Sequence, residues 1–246
     1  MNKLVLALIL VTNIGLTAQN QYPFQKGEQL EYKVHYGPLV AGKAVLEVDS
    51  EHGNYRFSAE GKSTGIFNFF FKVRDYYESI LQEGCLCPRY FNREVNEGNY
   101  SKKETVFFNY DLNQAESTRD TIALPENTQD ILSMFYYLRA LEQDNMELGD
   151  SIALQVFLDD SFMKSNLLYL GKDTLKTKFG LIACTKWSPQ LETGRVFEEE
   201  FGMTLWISDD VNKIPLSIQA KVLVGSIKMD LIKHKNLLKP LVKLKK

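Results

Sequence analysis

Arg139 is the side chain whose setting most invites chemistry. At about one hundred degrees per residue it falls between Leu132 and Phe135 on a helical pattern, inside the apolar arc rather than on its wet side. A guanidinium placed there needs a partner, because an unpaired buried charge is costly. Two readings follow: contact with an anion or headgroup inside a cavity, or the preferred one, a buried ion pair or an arginine capping strand-end carbonyls. Asp75, Glu78, Asp209 and Asp210 are the candidate acids.

Other chemistry-bearing residues lack the company that catalysis needs. Asp209-Asp210 and Asp159-Asp160 read as turn residues, since Asp bonds its own backbone, and Glu198-Glu199-Glu200 as a solvated face. General acid–base work would need a second carboxylate across a cleft. His35, His52 and His234 are the only histidines and no two stand at ligand spacing, so no metal site is expected. Ser133, Ser208 and Ser226 lack nucleophile-elbow glycines, and no glycine loop could cradle a phosphate. The chain is therefore read as non-enzymatic and without a cofactor.

Cys85-Leu86-Cys87 lacks the spacing of a thioredoxin-like pair. It reads as two ordinary residues beside Pro88 at a strand end, with a redox or metal-binding dithiol as the alternative. Cys184, after Leu181-Ile182-Ala183, reads as a small core residue.

The aromatics suggest binding. Phe67, Phe69, Phe70 and Phe71 precede Tyr76 and Tyr77, and Phe135, Tyr136 and Tyr137 follow on the helix. They could line a cavity for a lipid or another hydrophobic small molecule, or fill the core of a large sheet. Arg139, Tyr136, Phe135, Phe70 and Asp75 are the candidate ligand-binding residues.

The elements that must position these side chains are mostly strands. Glu28 to Tyr36 alternates polar and apolar, Ala44 to Val48 follows, and Glu51-His52-Gly53-Asn54 makes a hairpin turn into Tyr55 to Ala59. Similar patterning marks 73–81, 90–95, 104–110, 152–158, 166–170 and 181–187. A closing hairpin, 204–208 with 215–224, turns at 209–213 and leads through Gly225 into 226–232. Ile131, Leu132, Met134, Phe135, Leu138 and Leu141 recur at helical spacing after Asn127, which predicts a helix over about 128–143. Residues 65–71 form a short helix or an apolar loop. The fold class is mainly β: a curved antiparallel sheet or open barrel with that helix on its concave face.

Residues 1–18 have the layout of a secretory signal peptide: Lys3, an apolar run from Leu4 to Leu16, and a small residue at Ala18. Residues 19–246 then form a single β-rich domain, exported to the periplasm or beyond and soluble. No cysteine follows Ala18 directly, against a lipid anchor. A net charge of -2 gives no electrostatic reason to expect nucleic acid. The basic tail from Lys233 reads as a frayed, solvated end, with a membrane-surface or anionic-partner contact as the alternative.

Several phrases in order resemble an exported bacterial family classed as a domain of unknown function, family 3108. They are Gly27 to Tyr32, Tyr36-Gly37, Ala41 to Ala44, Asp130 to Ser133 with Tyr136 to Arg139, Trp206 to Asp210 with Ile214-Pro215, and Val224 to Ile227. The resemblance implies a β-rich envelope protein and brings no catalytic residues. Two roles are carried forward. One is a periplasmic carrier for a hydrophobic ligand, with Arg139 facing its headgroup; the other is an assembly factor that binds an envelope protein through a strand edge or the basic tail.

Overall fold

Alternating side chains and turn residues with left-handed backbone produce one long meander. The computed structural model describes residues 22–191, 193 and 199–244, so the signal-like segment 1–18 lies outside the described residues. The first half comprises β1 (Gln29–Tyr36), β2 (Leu39–Glu51), β3 (Asn54–Ser63), the single-turn helix α1 (Phe67–Phe70), β4 (Arg74–Gln82), β5 (Cys87–Glu97), β6 (Tyr100–Asn109), β7 (Gln114–Ser117) and β8 (Thr121–Ala123). The second half comprises β9 (Thr128–Asp130), α2 (Ser133–Ala140), β10 (Ser151–Leu158), β11 (Ser161–Thr177), β12 (Gly180–Pro189), β13 (Met203–Ser208), β14 (Pro215–Lys221) and β15 (Ser226–Lys235). His52 and Gly53, both at positive φ, form the turn expected between β2 and β3.

All fifteen strands join one sheet, in the order β8-β7-β6-β5-β4-β3-β2-β1-β15-β14-β13-β12-β11-β10-β9. Neighbours are antiparallel except β9 with β10. The sheet curls until its two ends meet, but side chains rather than a ladder close the seam. Ser79 on β4 donates to Asp130 on β9 at 2.6 Å, and the cross-strand pair Arg93 on β5 and Glu104 on β6, 2.6 Å apart, lines the seam on one side. Arg93 and Lys102 both reach Asp159, in the β10–β11 turn. Glu104 accepts the backbone N–H of Asp160 at 2.6 Å. Asp159 and Asp160 are turn residues, as expected, and they also face this largely buried charge cluster.

Helix α2 packs on the concave face between the sheet's halves. Leu132 and Tyr136 belong to the core built on Phe57, Phe91 and Phe157, whereas Met134 and Leu138 join the core around Trp187 and Tyr169. The ring of Tyr136 stacks on Phe57 with centroids 3.7 Å apart.

The helix is shorter than the expected span of 128–143. Residues 128–130 pair with 155–157 as β9, and Oδ1 of Asp130, not Asn127, takes the free amides of Leu132 and Ser133 at 2.8 Å each. At the other end Leu141 is extended, and buried Gln143 turns back to donate to the Leu138 carbonyl at 3.0 Å. The apolar spacing was real, but sheet pairing outcompeted the helix at its start.

The basic end is also not frayed. Leu241 is buried with Leu30, Tyr32 and Ile182. Asn212 receives the N–H of Lys239, Asp210 receives that of Val242, and Leu244 donates to the Leu181 carbonyl. Asp209-Asp210 acts as the expected turn, with Asp210 also bonding Ser208 and Asn212. Cys85 and Cys87 are joined as a disulfide in the β4–β5 turn, where two ordinary residues were expected. Cys184 is buried and free, as a core residue should be.

Candidate binding cavity

Strand register shows how an opening arises inside this barrel. Low in the sheet, the inward row Val48–Phe57–Ser79–Phe91–Val106 is buried and filled. Moving along β2 and β3 toward α1, the inward pairs become Leu46–Ala59, Ala44–Gly61 and Gly42–Ser63. Side chains shrink along this face, and space remains. The result is a cavity of about 680 Å³ between this small-residue face and the start of α2. Ile131, Leu132 and Phe135 form one wall, Ile218, Ile227 and Met229 another, and Phe67 and Phe71 stand at the α1 end. Phe71 also touches solvent over half its surface, which marks that end as the mouth.

Two of these small residues differ in what they tolerate. A Cβ on Gly42 would lie 2.4 Å from the Lys62 carbonyl oxygen, so glycine is required by backbone approach. At Gly61 the nearest atom to a Cβ is Cβ of Asp75 at 3.8 Å, so a larger residue fits locally and would project into the opening.

Of the five residues singled out from the sequence, the cavity gathers Phe135 and Asp75. Tyr136 is buried against Phe57 and Phe24 below the floor. Phe70 points outward and is 75 % exposed. Arg139 does not line the cavity. Its acid partner is none of the four candidates but Glu28, which it grips at 2.6 and 2.9 Å. It also donates to the carbonyls of Pro23 and Asn212, 2.8 and 2.9 Å away, and lies against the rings of Phe24 and Tyr136. The preferred reading of Arg139, a buried ion pair, therefore describes its contacts, and the headgroup reading does not.

Asp75 is the acid set into the wall. Burial pushes its carboxyl up to about 6, against the Asn96 N–H that donates to it at 3.0 Å and with the Glu97 carboxylate adding to the rise. Tyr77, its inward neighbour on β4, has its phenol held well above the usual value by burial and by Asp75. Sequence reasoning missed Gly42, Ala44, Ala59 and Gly61. The signal available was a run of small residues at period two in adjacent strands, where large residues would ordinarily be expected inside.

A tapered β-barrel-like shell around an apolar opening can be set beside known proteins. The sequence profile of the family described as "Protein of unknown function (DUF3108)" matches residues 31–232. The chain belongs to this family. Among solved structures, a beta-barrel-like protein of the domain of unknown function DUF1849 from Brucella abortus is similar at 9 % identity, with a TM-score of 0.57 over 87 % of this chain and 98 % of that one. The DUF3108 chain thus shares its fold with a protein of a second family at 9 % identity. The hypothetical protein CT021 from Chlamydia trachomatis aligns over 90 % of this chain and 93 % of its own, at 7 % identity and a TM-score of 0.40. No curated protein matches the sequence.

Proposed function

We propose that the protein is a non-enzymatic carrier that encloses a hydrophobic ligand between α2 and the small-residue face of β2 and β3. The observation that carries this reading is the cavity itself. Its volume falls within the roughly 300–1,000 Å³ of small-molecule sites, and its walls are mostly aliphatic and aromatic with few polar groups. A large sheet under no such demand would fill the opening, because protein interiors pack to crystal-like density. The signal-like residues 1–18 support an exported, periplasmic or extracellular setting for the carrier.

The alternative role, an assembly factor pairing through a free strand edge, has less support. The sheet's two edge strands, β8 and β9, have three residues each. β9 is buried and its Asp130 is bonded across the seam. Short, covered edges are how proteins avoid such pairing.

The test is mass spectrometry of an organic extract of protein purified without detergent. A stoichiometric apolar molecule is the expected result. A clean extract, repeated after candidate lipids are supplied, would rule the carrier out.

A further inference from the structure

Three segments meet at the cavity's mouth: residues 37–40, the β1–β2 turn and the first two residues of β2, 64–73 around α1, and 222–225 between β14 and β15. Gly37 donates to the Ser226 carbonyl at 2.9 Å, Thr64 to that of Ala41 at 2.9 Å, and the Tyr36 ring faces Phe67. Their sequences are Gly-Pro-Leu-Val, Thr-Gly-Ile-Phe-Asn-Phe-Phe-Phe-Lys-Val and Val-Leu-Val-Gly. Together they hold no acid and one base, Lys72. Their large side chains point away from the protein: Phe69 is 85 % exposed and Val224 74 %, with Leu39, Val40, Ile66, Phe70 and Leu223 also exposed. Isolated apolar residues on a surface are ordinary, but a continuous lip of them marks an interaction site.

The outer face just behind the lip is basic. Lys33, Lys43, Lys62 and Arg74 stand directly opposite one another on β1, β2, β3 and β4. Neighbouring strands are about 4.8 Å apart, and like charges placed opposite each other destabilise a sheet. Asp230 faces Lys33 from β15, and Arg74 is turned to the carbonyls of Val73 and Ser63 and to Asn68. Lys43 and Lys62 face only cations directly across the strands, with Glu31 acting on Lys43 from the diagonal position on β1. Four cations in register are costly to a sheet, and an anionic surface facing them would offset that cost. Of the cations beside the row, Lys228 is paired with Asp230 at 3.1 Å and Lys221 with Glu199 at 3.1 Å.

Among the described residues, neither the first nor the last segment covers the lip. Tyr22 packs on Tyr55 beside the β2–β3 turn, and Asn236 bonds Gly27 at the same far end, along the 13 residues of β2 from the mouth. We propose that this end of the barrel docks on an anionic phospholipid bilayer. Phe69 and Phe70 enter the headgroup region while the lysine row faces the lipid charge. Exposed aromatics beside a basic face are the features of a protein that lies on a membrane without crossing it. Juxtamembrane lysines act over about a Debye length, which suits a row a few residues behind the tips. The inference goes beyond the carrier reading and holds whether or not the cavity is filled.

Flotation of the whole protein with vesicles tests it. The protein should rise with vesicles containing phosphatidylglycerol, less with phosphatidylcholine alone, and less as salt increases. Phe69→Ser with Phe70→Ser should weaken binding at least about tenfold. Lys33→Gln, Lys43→Gln and Lys62→Gln together should weaken it by up to about a hundredfold on anionic vesicles, at about 1 kcal/mol per lysine. Both variants change exposed side chains, and unchanged melting temperatures would establish that they fold. Ligand retention by the phenylalanine variant separates this result from the fate of the carrier reading. No flotation of the wild type, or equal flotation of the variants, overturns the proposal. So does a dimer in sedimentation velocity that the phenylalanine variant abolishes, since the lip would then belong to a second copy.

Discussion

Arg139 and Glu28 meet across 111 residues of sequence, joined by hydrogen bonds of 2.6 and 2.9 Å, and both are almost wholly withdrawn from solvent. The pair ties α2 to the segment that enters β1, and through the Asn212 carbonyl to the closing hairpin. It is a structural clasp beneath the cavity rather than part of it. Removing one partner from a buried pair leaves an uncompensated charge and typically costs about 3–5 kcal/mol. Glu28→Ala and Arg139→Met should each lose about that much in urea denaturation. Arg139→Met should retain any apolar ligand at temperatures where it remains folded.

The seam charges should behave as a unit. Arg93 pairs with Glu104 and Asp159, and Lys102 also reaches Asp159. Arg93→Met should cost about 3 kcal/mol, because buried Glu104 loses its 2.6 Å partner. Hydrogen exchange should rise first in β9 and the β10–β11 turn, because side chains alone hold the sheet's ends together there.

Asp130 gives the fold a distinctive pH dependence. Burial raises its carboxyl to about 6, against hydrogen bonds from Ser79, Ser133 and Leu132. Its folded value lies above its unfolded one, so the stability it contributes is complete below about pH 4. That contribution fades as pH rises through about 6, with a total of about 3 kcal/mol. Asp130→Asn keeps an acceptor for the two α2 amides and cannot ionise. Relative to wild type it should gain stability between about pH 4 and about pH 7, read from denaturation midpoints across that range. A constant difference between the two proteins would contradict the assignment.

Asp75 should govern how the cavity treats anions. Above about 6 its carboxylate, beside Glu97, repels a negative ligand from the wall. A naphthalene sulfonate dye, anionic at every pH used, should bind more tightly as pH falls through about 6. Asp75→Asn should bind it tightly throughout, and fluorescence titration distinguishes the two behaviours.

How much of this could be read from the chain depended on how local the cause was. The alternation in 28–36, the turn at 51–54 and the closing hairpin are set by neighbouring residues, and all three appear in the barrel. The apolar spacing of α2 was legible, but its start was not, because pairing of 128–130 with β10 is a tertiary effect. Arg139 was rightly seen as buried, while its partner escaped because Glu28 reads as an ordinary polar residue opening a strand. The phenylalanine run was treated as one group, yet the fold divides it. Phe67 and Phe71 face the cavity, and Phe69 and Phe70 face outward. A single helical turn makes that split, and no periodicity in so short a run could announce it. The cavity itself is written in absent side chains, which apolar patterning does not register.

The central claim is that the space beside Ala44 and Gly61 holds an apolar ligand. Its most direct test is titration of a fluorescent hydrophobic probe into wild type and into Ala44→Phe with Gly61→Val, with melting temperature followed in parallel. Both substitutions point into the opening, and Gly61 has room for a Cβ. Wild type should bind the probe saturably at one site, and the filled variant should fold and lose at least about 90 % of that binding, a tenfold change worth about 1.4 kcal/mol. A folded variant that binds the probe as well as wild type would contradict it.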